Sequence, residues 1–197
     1  SGPEFRVLST KRLARSLKLD ETETDKLLGW HELSGERCIA RLKSNMLPSS
    51  WMMFDRDHVN GMPAHPSEMT DTEWRAAMGE MIPGLEGVEM IVVPSSTGRV
   101  LVDGEPLRAP GRHYYVQIKD GHDVERFGAT LLQRAFLQGY GFMRPVCSKG
   151  DPQAVVGHRQ WSIFDPTTFS REHISYEGKP TVKGRGLSVA PARIEVL

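Results

Sequence analysis

The order of apolar segments along this chain predicts an α+β fold. Short apolar runs with the composition of strands alternate with two longer segments of helical periodicity, in the order strand, helix, strand, hairpin, strand, helix, strand, strand. The 197 residues are 39% hydrophobic and 25% charged, which suits one globular domain with a substantial core and a small appendage. These observations fix the class and leave the topology of the sheet open.

The N-terminal region is expected to be an appendage. The chain begins Ser1-Gly2-Pro3-Glu4-Phe5 without a methionine, so we expect residues 1–5 to be a cloning scar on a piece of a larger protein. Between Leu8 and about Arg41, leucines at helical spacing predict two polar helical segments. We therefore expect residues 6–47 to form an N-terminal helical appendage with no chemistry of its own.

The first strand of the main domain ends in two carboxylates. An apolar run begins at Trp51 and leads into Asp55-Arg56-Asp57. Alternate residues of a strand face the same side, so the two aspartates are expected to point together. Like charges held this close repel each other unless a cation lies between them, and oxygen ligands suit magnesium or manganese. The same residues are also compatible with a solvated turn toward Gly61.

A helix and a serine-rich loop follow. Thr70 and Glu73 form a capping-box pattern, which predicts a helix that stops near Pro83. The next strand, over 88–93, runs into Ser95-Ser96-Thr97-Gly98-Arg99. Hydroxyl groups and a glycine at the end of a strand leave backbone N–H groups to meet a phosphate, and an arginine stands beside them. Such loops are also common in ordinary hairpins.

A hairpin and an alternating strand complete this part of the sheet. Asp103-Gly104 predicts the hairpin turn. In the strand that returns, His113, Tyr115 and Gln117 share one face. A histidine in this position is usually structural, but near the serine loop it could donate a hydrogen bond to a phosphate oxygen.

The last third of the chain predicts a helix and two strands. Apolar residues at helical spacing indicate a helix over 123–137, and a strand over 142–147 follows. A further apolar strand, from Trp161, ends in a single carboxylate, Asp165. His158 and Arg159 lie just before it and could reach a triphosphate or a template backbone, although an exposed polar pair is an equal alternative.

Composition excludes several classes of protein. Lysine plus arginine equals aspartate plus glutamate at 25 each, so any basic groove must be local. Cys38 and Cys147 form no CxxC pair, which argues against a disulfide framework or a zinc ribbon and favours a reducing, cytoplasmic setting. The sequence has no apolar run of membrane-spanning length and no signal-peptide pattern, so we expect a soluble protein without a membrane partner.

Three motifs, in order, resemble those of the archaeo-eukaryotic primases. They are the strand ending in Asp55 and Asp57, the pair of segments Ser96-Thr97-Gly98 and Gly111-Arg112-His113, and the apolar strand ending in Asp165. In the family the second motif is one unit, Ser-x-Gly-x-x-His, which a hairpin splits in this chain. The chain looks most like the primase-polymerases of plasmids, phages and integrated elements. The resemblance covers residues 48–190 and leaves 191–197 as a C-terminal tail.

The resemblance implies both a fold and an activity. The fold would be an RRM-like antiparallel sheet core with helices on one face, plus a smaller N-terminal α/β or helical part. The activity would be template-directed nucleotidyl transfer that makes or extends primers on single-stranded DNA. A bacterial or archaeal host, or a mobile element within one, would encode the protein, and a helicase or helical-bundle domain would be its partner.

The resemblance also implies roles for particular residues. The carboxylates Asp55, Asp57 and Asp165 would be catalytic and would hold two Mg²⁺ or Mn²⁺ ions. The nucleoside triphosphate would contact Ser96, Gly98, Arg112, His113 and Arg159. Candidates for contacts with the template phosphates are Arg99, Lys149, Lys183 and Arg185.

Three other functions stay open at this point. Carboxylates and two metal ions also activate water, so a nuclease or nucleotide hydrolase is one alternative. A non-catalytic DNA-binding replication module that keeps the fold is another. A rolling-circle relaxase is disfavoured because the sequence has no His-hydrophobe-His metal pair.

Overall fold

The computed structural model describes residues 6–20, 22–57, 59, 62–63, 68–106, 111–173 and 179–197. Its helices and antiparallel sheets confirm the α+β class. The chain divides into two compact units, one of Ser1–Ser49 with Ser170–His173 and the other of Ser50–Phe169 with Ile174–Leu197. No helix within the described ranges is long and apolar enough to cross a membrane.

The smaller unit is built on a three-stranded sheet. Its elements are β1 (Arg6–Leu8), α1 (Thr10–Leu17), β2 (Trp30–Leu33) and β3 (Glu36–Ala40). Strand β3 lies in the middle, parallel to β1 and antiparallel to β2. The core of the unit consists of Leu8, Leu13, Ala14, Leu27, Cys38 and Ala40.

The prediction of a second helix in this unit is wrong. Trp30–Leu33 forms a strand, because Ser34 and Gly35 adopt positive φ angles of 54° and 79° and turn the chain back onto β3. Its apolar residues happen to fit a helical spacing, but the turn and the partner strand decide the conformation. The unit is therefore α/β rather than helical.

The larger unit is organised on a four-stranded antiparallel sheet. Its strands are β4 (Trp51–Arg56), β5 (Ile91–Pro94), β8 (Arg112–Gln117) and β12 (Glu195–Val196), in the order β12-β5-β8-β4. The expected C-terminal tail thus contributes an edge strand, because two of its residues pair with β5.

Two helices cover one face of this sheet. They are α2 (Asp71–Met81) and α3 (Val124–Leu137). Phe54 and Tyr114 point toward them from the sheet, and the Trp74 ring stacks on the Tyr114 ring with centroids 4.1 Å apart. Because side chains alternate along a strand, residues 53, 55, 113 and 115 point to the opposite face.

The remaining strands form two small sheets. Strand β6 (Val100–Val102) pairs with β7 (Glu105–Pro106) and with β11 (Leu187–Val189). Asp103 and Gly104 make the predicted hairpin turn with φ angles of 50° and 91°. Strands β9 (Phe142–Cys147) and β10 (Val155–Trp161) form an antiparallel ribbon.

The prediction that a strand leads directly into Asp165 is wrong. Strand β10 ends at Trp161, four residues earlier. Ile163 and Phe164 are both buried in the same core, which the alternation of a strand would not allow. The indole Nε1 of Trp74 donates a hydrogen bond to the Ile163 carbonyl at 2.8 Å and so helps to fix this irregular segment.

Replacing Gly128 in α3 by alanine should destabilise the larger unit. A Cβ at this position would overlap the buried Phe169 ring, so the helix and the ring must separate. We expect the free energy of unfolding to fall by about 1–3 kcal/mol, measured by urea denaturation. Gly79→Ala in α2 is the matched control, because its Cβ meets nothing closer than 3.7 Å. The control should be stabilising, by up to about 1 kcal/mol; an equal effect of both substitutions would contradict this account of packing.

Candidate functional site

Asp55 and His113 form a cross-strand pair on the sheet face away from the helices. They are direct partners in the β4–β8 register. Their exposed fractions are only 8% and 7%, and His113 Nε2 lies 3.6 Å from Asp55 Oδ1. A carboxylate and an imidazole are therefore held side by side, away from most of the solvent. This pairing joins the first and second sequence motifs in space.

Gly111 brings a second carboxylate and a serine beside this pair. A Cβ at position 111 would overlap Asp57 Oδ1 and would come within 2.8 Å of Ser95 Oγ. The backbone N–H of Ser95 also donates to the Gly111 carbonyl at 2.9 Å. The site thus requires a residue without a side chain at 111, so that both oxygen atoms can lie over its backbone.

Asp165 is joined to the same place through its backbone. Its N–H donates a hydrogen bond to the Asp55 carbonyl at 2.7 Å, although the two residues are 110 positions apart in the sequence. Its own carboxylate points into the following turn, where Oδ1 accepts a hydrogen bond from the Thr167 N–H at 2.8 Å. The third motif is therefore adjacent to the first, while its carboxylate caps a local turn.

The serine that lies beside Asp57 is Ser95, which the sequence interpretation passed over in favour of Ser96. Ser95 is buried, and its Oγ accepts a hydrogen bond from the Gly98 N–H at 3.1 Å. The alternation of side chains along β5 is the feature of the sequence that indicates Ser95. Val92 is buried toward the helices, so residues 93 and 95 are expected on the other face, with His113.

Arg112 does not join the site in this arrangement. It pairs with Asp71 at 2.8 Å and approaches Glu195 at 3.6 Å. Arg56 pairs with Asp71 as well, at 2.6 Å. Residues next to each other on a strand point to opposite faces, so Arg112 lies on the helix side while His113 lies on the other.

The basic residues expected to contact DNA differ in exposure. Arg99 is 8% exposed and its Nε donates to the Ala190 carbonyl at 3.0 Å, so it offers little surface to DNA. Its guanidinium instead supports the pairing of β6 with β11. Lys149, Lys183 and Arg185 are exposed, as is Arg159, whose guanidinium stacks on Trp161.

The donor chemistry of the site suits a divalent cation, but a three-carboxylate cluster is not formed. Among the described residues, no three side chains of histidine, cysteine, aspartate or glutamate are gathered so that they could hold a metal ion. Asp55 and Asp57 remain the candidate ligands, since Mg²⁺ is often held by one or two carboxylates together with substrate phosphates. Asp165 could join them only by leaving the Thr167 N–H.

Burial raises the pKa of Tyr114, on the helix side of the sheet, to about 12. Its hydroxyl donates to Asp71 Oδ1 at 2.9 Å. Because the folded pKa exceeds the ordinary value of 10.0, the resulting stability is complete below pH 10 and is lost as the pH rises toward 12. An absorbance titration should detect a tyrosine that ionises at about pH 12 and is missing from Tyr114→Phe. Identical titrations of both proteins would contradict this environment.

Comparison of the chain with protein-family models, curated proteins and solved structures finds no match in any of the three.

Proposed function

We propose that the larger unit is a primase-polymerase that adds nucleotides to a primer on a single-stranded DNA template. The observation that carries the proposal is the convergence of Asp55, Asp57 and His113 on one face of the sheet, with the Asp165 backbone hydrogen-bonded to Asp55. These residues come from the three motifs that resemble the archaeo-eukaryotic primases. Three distant stretches with that order and this proximity are more specific than any one of them.

In the proposed mechanism the carboxylates hold divalent cations. Mg²⁺ or Mn²⁺, when bound, would lower the pKa of the primer 3′-hydroxyl and neutralise the pyrophosphate leaving group. Asp55 and Asp57 would be the main ligands, and Asp165 would complete the set by turning its carboxylate away from Thr167.

Other groups at the site would bind and orient the triphosphate. His113 would donate a hydrogen bond to a phosphate oxygen, and the loop after β5 would present Ser96. The Gly98 N–H would be available to the phosphate once it leaves Ser95 Oγ. Arg159 would add positive charge. Arg112 is engaged by two carboxylates on the other face, so it is a weaker candidate for this role.

Synthesis and extension of primers on single-stranded DNA test the proposal. The protein is incubated with template, with or without a primer, in Mg²⁺ or Mn²⁺, and each kind of nucleotide is supplied separately. Longer products that require the metal are expected. Extension without new primers would support the polymerase and assign initiation to another part of the protein. Shortened primers or free diphosphate without extension would replace the proposal by a nuclease or a nucleotide hydrolase.

A non-catalytic DNA-binding module is the second candidate. It is favoured by the orientation of Asp165, whose carboxylate caps a turn instead of joining the other two. Binding of template that survives chelation, with no polymerisation in either metal, would support this candidate against the polymerase.

Gly111→Ala tests the geometry that supports the proposal. The added Cβ would displace the Asp57 carboxylate and Ser95 Oγ, so we expect nucleotide transfer to fall roughly 100-fold, as small misplacements of reacting groups do. Gly87→Ala is the matched control, because a Cβ there meets nothing within 4 Å. If Gly111→Ala is folded and fully active, Asp57 has no part in the reaction.

A further inference from the structure

The ribbon of β9 and β10 carries positive charge, of which the proposed function uses only Arg159. Its two strands contain two arginines and one histidine but no carboxylate, in a protein whose formal net charge is zero. In the described part of the chain, these strands pair only with each other. The ribbon is therefore a local basic feature of the kind that composition alone could not locate.

Two arginines lie directly opposite each other on this ribbon. Arg144 and Arg159 are partners in the β9–β10 register. The guanidinium carbons lie 4.4 Å and 4.3 Å from the centroid of the Trp161 ring. Like charges directly opposite on a ladder are destabilising, whereas stacking on an aromatic ring offsets part of that cost. Both cations thus contact the same ring.

No carboxylate in the described residues neutralises this pair. Arg159 is exposed and Arg144 is half-buried, and ion pairs such as that of Arg126 with Asp123 have no counterpart at either. A guanidinium that stacks by its flat face still has its N–H edge for hydrogen bonds, and that edge matches the oxygen atoms of a phosphate. Two guanidinium groups within 4.4 Å of one ring centroid thus bring together N–H donors of the kind that phosphate oxygens accept.

The base of the ribbon packs close to the candidate site. Phe142 and Trp161 form a buried cluster with Val59, which follows Asp57 by two residues. The arginine pair lies two residue positions along the ribbon from Phe142 and Trp161. A single-stranded nucleic acid that crosses the ribbon could therefore also reach Asp55 and Asp57.

We infer that Arg144 and Arg159, stacked on Trp161, form a binding site for phosphate groups of a single-stranded nucleic acid. The inference rests on the proposed function, because that function is the reason to expect single-stranded DNA as the ligand. Phosphate oxygens of a nucleoside triphosphate offer the same chemistry, and the experiment separates the two sources.

Binding is measured by fluorescence anisotropy with a labelled single-stranded oligonucleotide, in EDTA and over a range of salt concentrations. Arg144→Gln/Arg159→Gln removes two phosphate contacts, so the slope of log K against log salt should shrink by about 1.4 and affinity should fall roughly 25-fold at about 0.1 M salt. Arg126→Gln/Arg193→Gln is the matched control, because it removes the same charge from exposed arginines near carboxylates. The control should bind within about threefold of the wild type.

Further variants keep the test independent of folding and of catalysis. Arg144→Lys/Arg159→Lys keeps both charges and should retain much of the affinity that the glutamine variant loses. Asp55→Asn/Asp57→Asn should bind the oligonucleotide at least as well as the wild type, even though it is expected to be inactive. If polymerisation is absent but the arginine variants behave as expected, the phosphate site stands and the proposed reaction fails.

A second arm uses a labelled deoxynucleoside triphosphate without DNA. Loss of oligonucleotide binding alone supports a site for a strand, and loss of triphosphate binding alone supports a phosphate site that serves the nucleotide instead. Two results overturn the inference: the glutamine variant binds both probes like the control, or the wild type binds neither probe.

Discussion

Nucleotide transfer by Asp55→Asn/Asp57→Asn is expected to fall at least roughly 1,000-fold below the wild type. Asparagine has nearly the same shape as aspartate but lacks the negative charge that a divalent cation needs. Loss of metal stabilisation of several kcal/mol corresponds to a rate effect of about this size. The measurement is primer extension in Mn²⁺, with Asp151→Asn as the control, because Asp151 is an exposed residue in a loop. A rate of transfer by the double variant within tenfold of the wild type would show that neither aspartate is needed for the reaction.

Asp165 requires two substitutions to separate its two roles. Asp165→Asn keeps an oxygen atom that can accept the Thr167 N–H, so the local turn should survive while the charge is lost. Asp165→Ala loses the turn contact as well. If the carboxylate joins the metal site, both variants should be inactive. If Asp165 only caps the turn, the asparagine variant should be active and the alanine variant less stable.

The second large effect is expected at Trp74, in the core behind the site. Trp74→Ala should lower the free energy of unfolding of the larger unit by about 3–5 kcal/mol. The ring is fully buried, stacks on Tyr114 and meets the edge of Phe54 at a centroid distance of 6.3 Å. Removing it leaves a cavity and takes the indole donor from the Ile163 carbonyl. Urea denaturation measures the change.

Trp74→Phe separates packing from the hydrogen bond. Phenylalanine fills most of the space but cannot donate to Ile163, two residues before Asp165, so about 1–3 kcal/mol should be lost. Trp51→Phe is the control, because Trp51 is 44% exposed at the edge of the same sheet, and it should change stability by no more than about 1 kcal/mol. Equal effects of Trp74→Phe and Trp51→Phe would show that the buried hydrogen bond contributes little.

The features that the sequence predicted correctly depend on neighbours along the chain. Thr70 and Glu73 form both hydrogen bonds of a capping box, at 3.2 Å and 2.7 Å, because the pattern needs only one turn of helix. The turn at Asp103-Gly104 follows from the φ angles that these two residues tolerate. The helix expected over 123–137 is confirmed as Val124–Leu137, since its apolar spacing extends over several turns.

The features that the sequence missed depend on distant partners. Arg99 is buried because its guanidinium meets the Ala190 carbonyl, 91 residues away, and nothing near Arg99 in the sequence indicates that contact. Arg112 is occupied by Asp71 and Glu195, which come from a helix and from the last strand. The place of Ser95 beside Asp57 depends on the register between β5 and β8, which alternation suggests but only the pairing of strands fixes.

Binding of Mn²⁺ is the most direct test of the claim that Asp55 and Asp57 form a cation site. Electron paramagnetic resonance of free Mn²⁺ is followed during titration with the protein, with and without a non-hydrolysable nucleoside triphosphate. The wild type and Asp151→Asn should bind Mn²⁺ more tightly when the nucleotide is present. Asp55→Asn/Asp57→Asn should bind Mn²⁺ at least tenfold more weakly than the wild type, a loss of at least about 1.4 kcal/mol. Equal binding by the folded double variant and the wild type would contradict the claim.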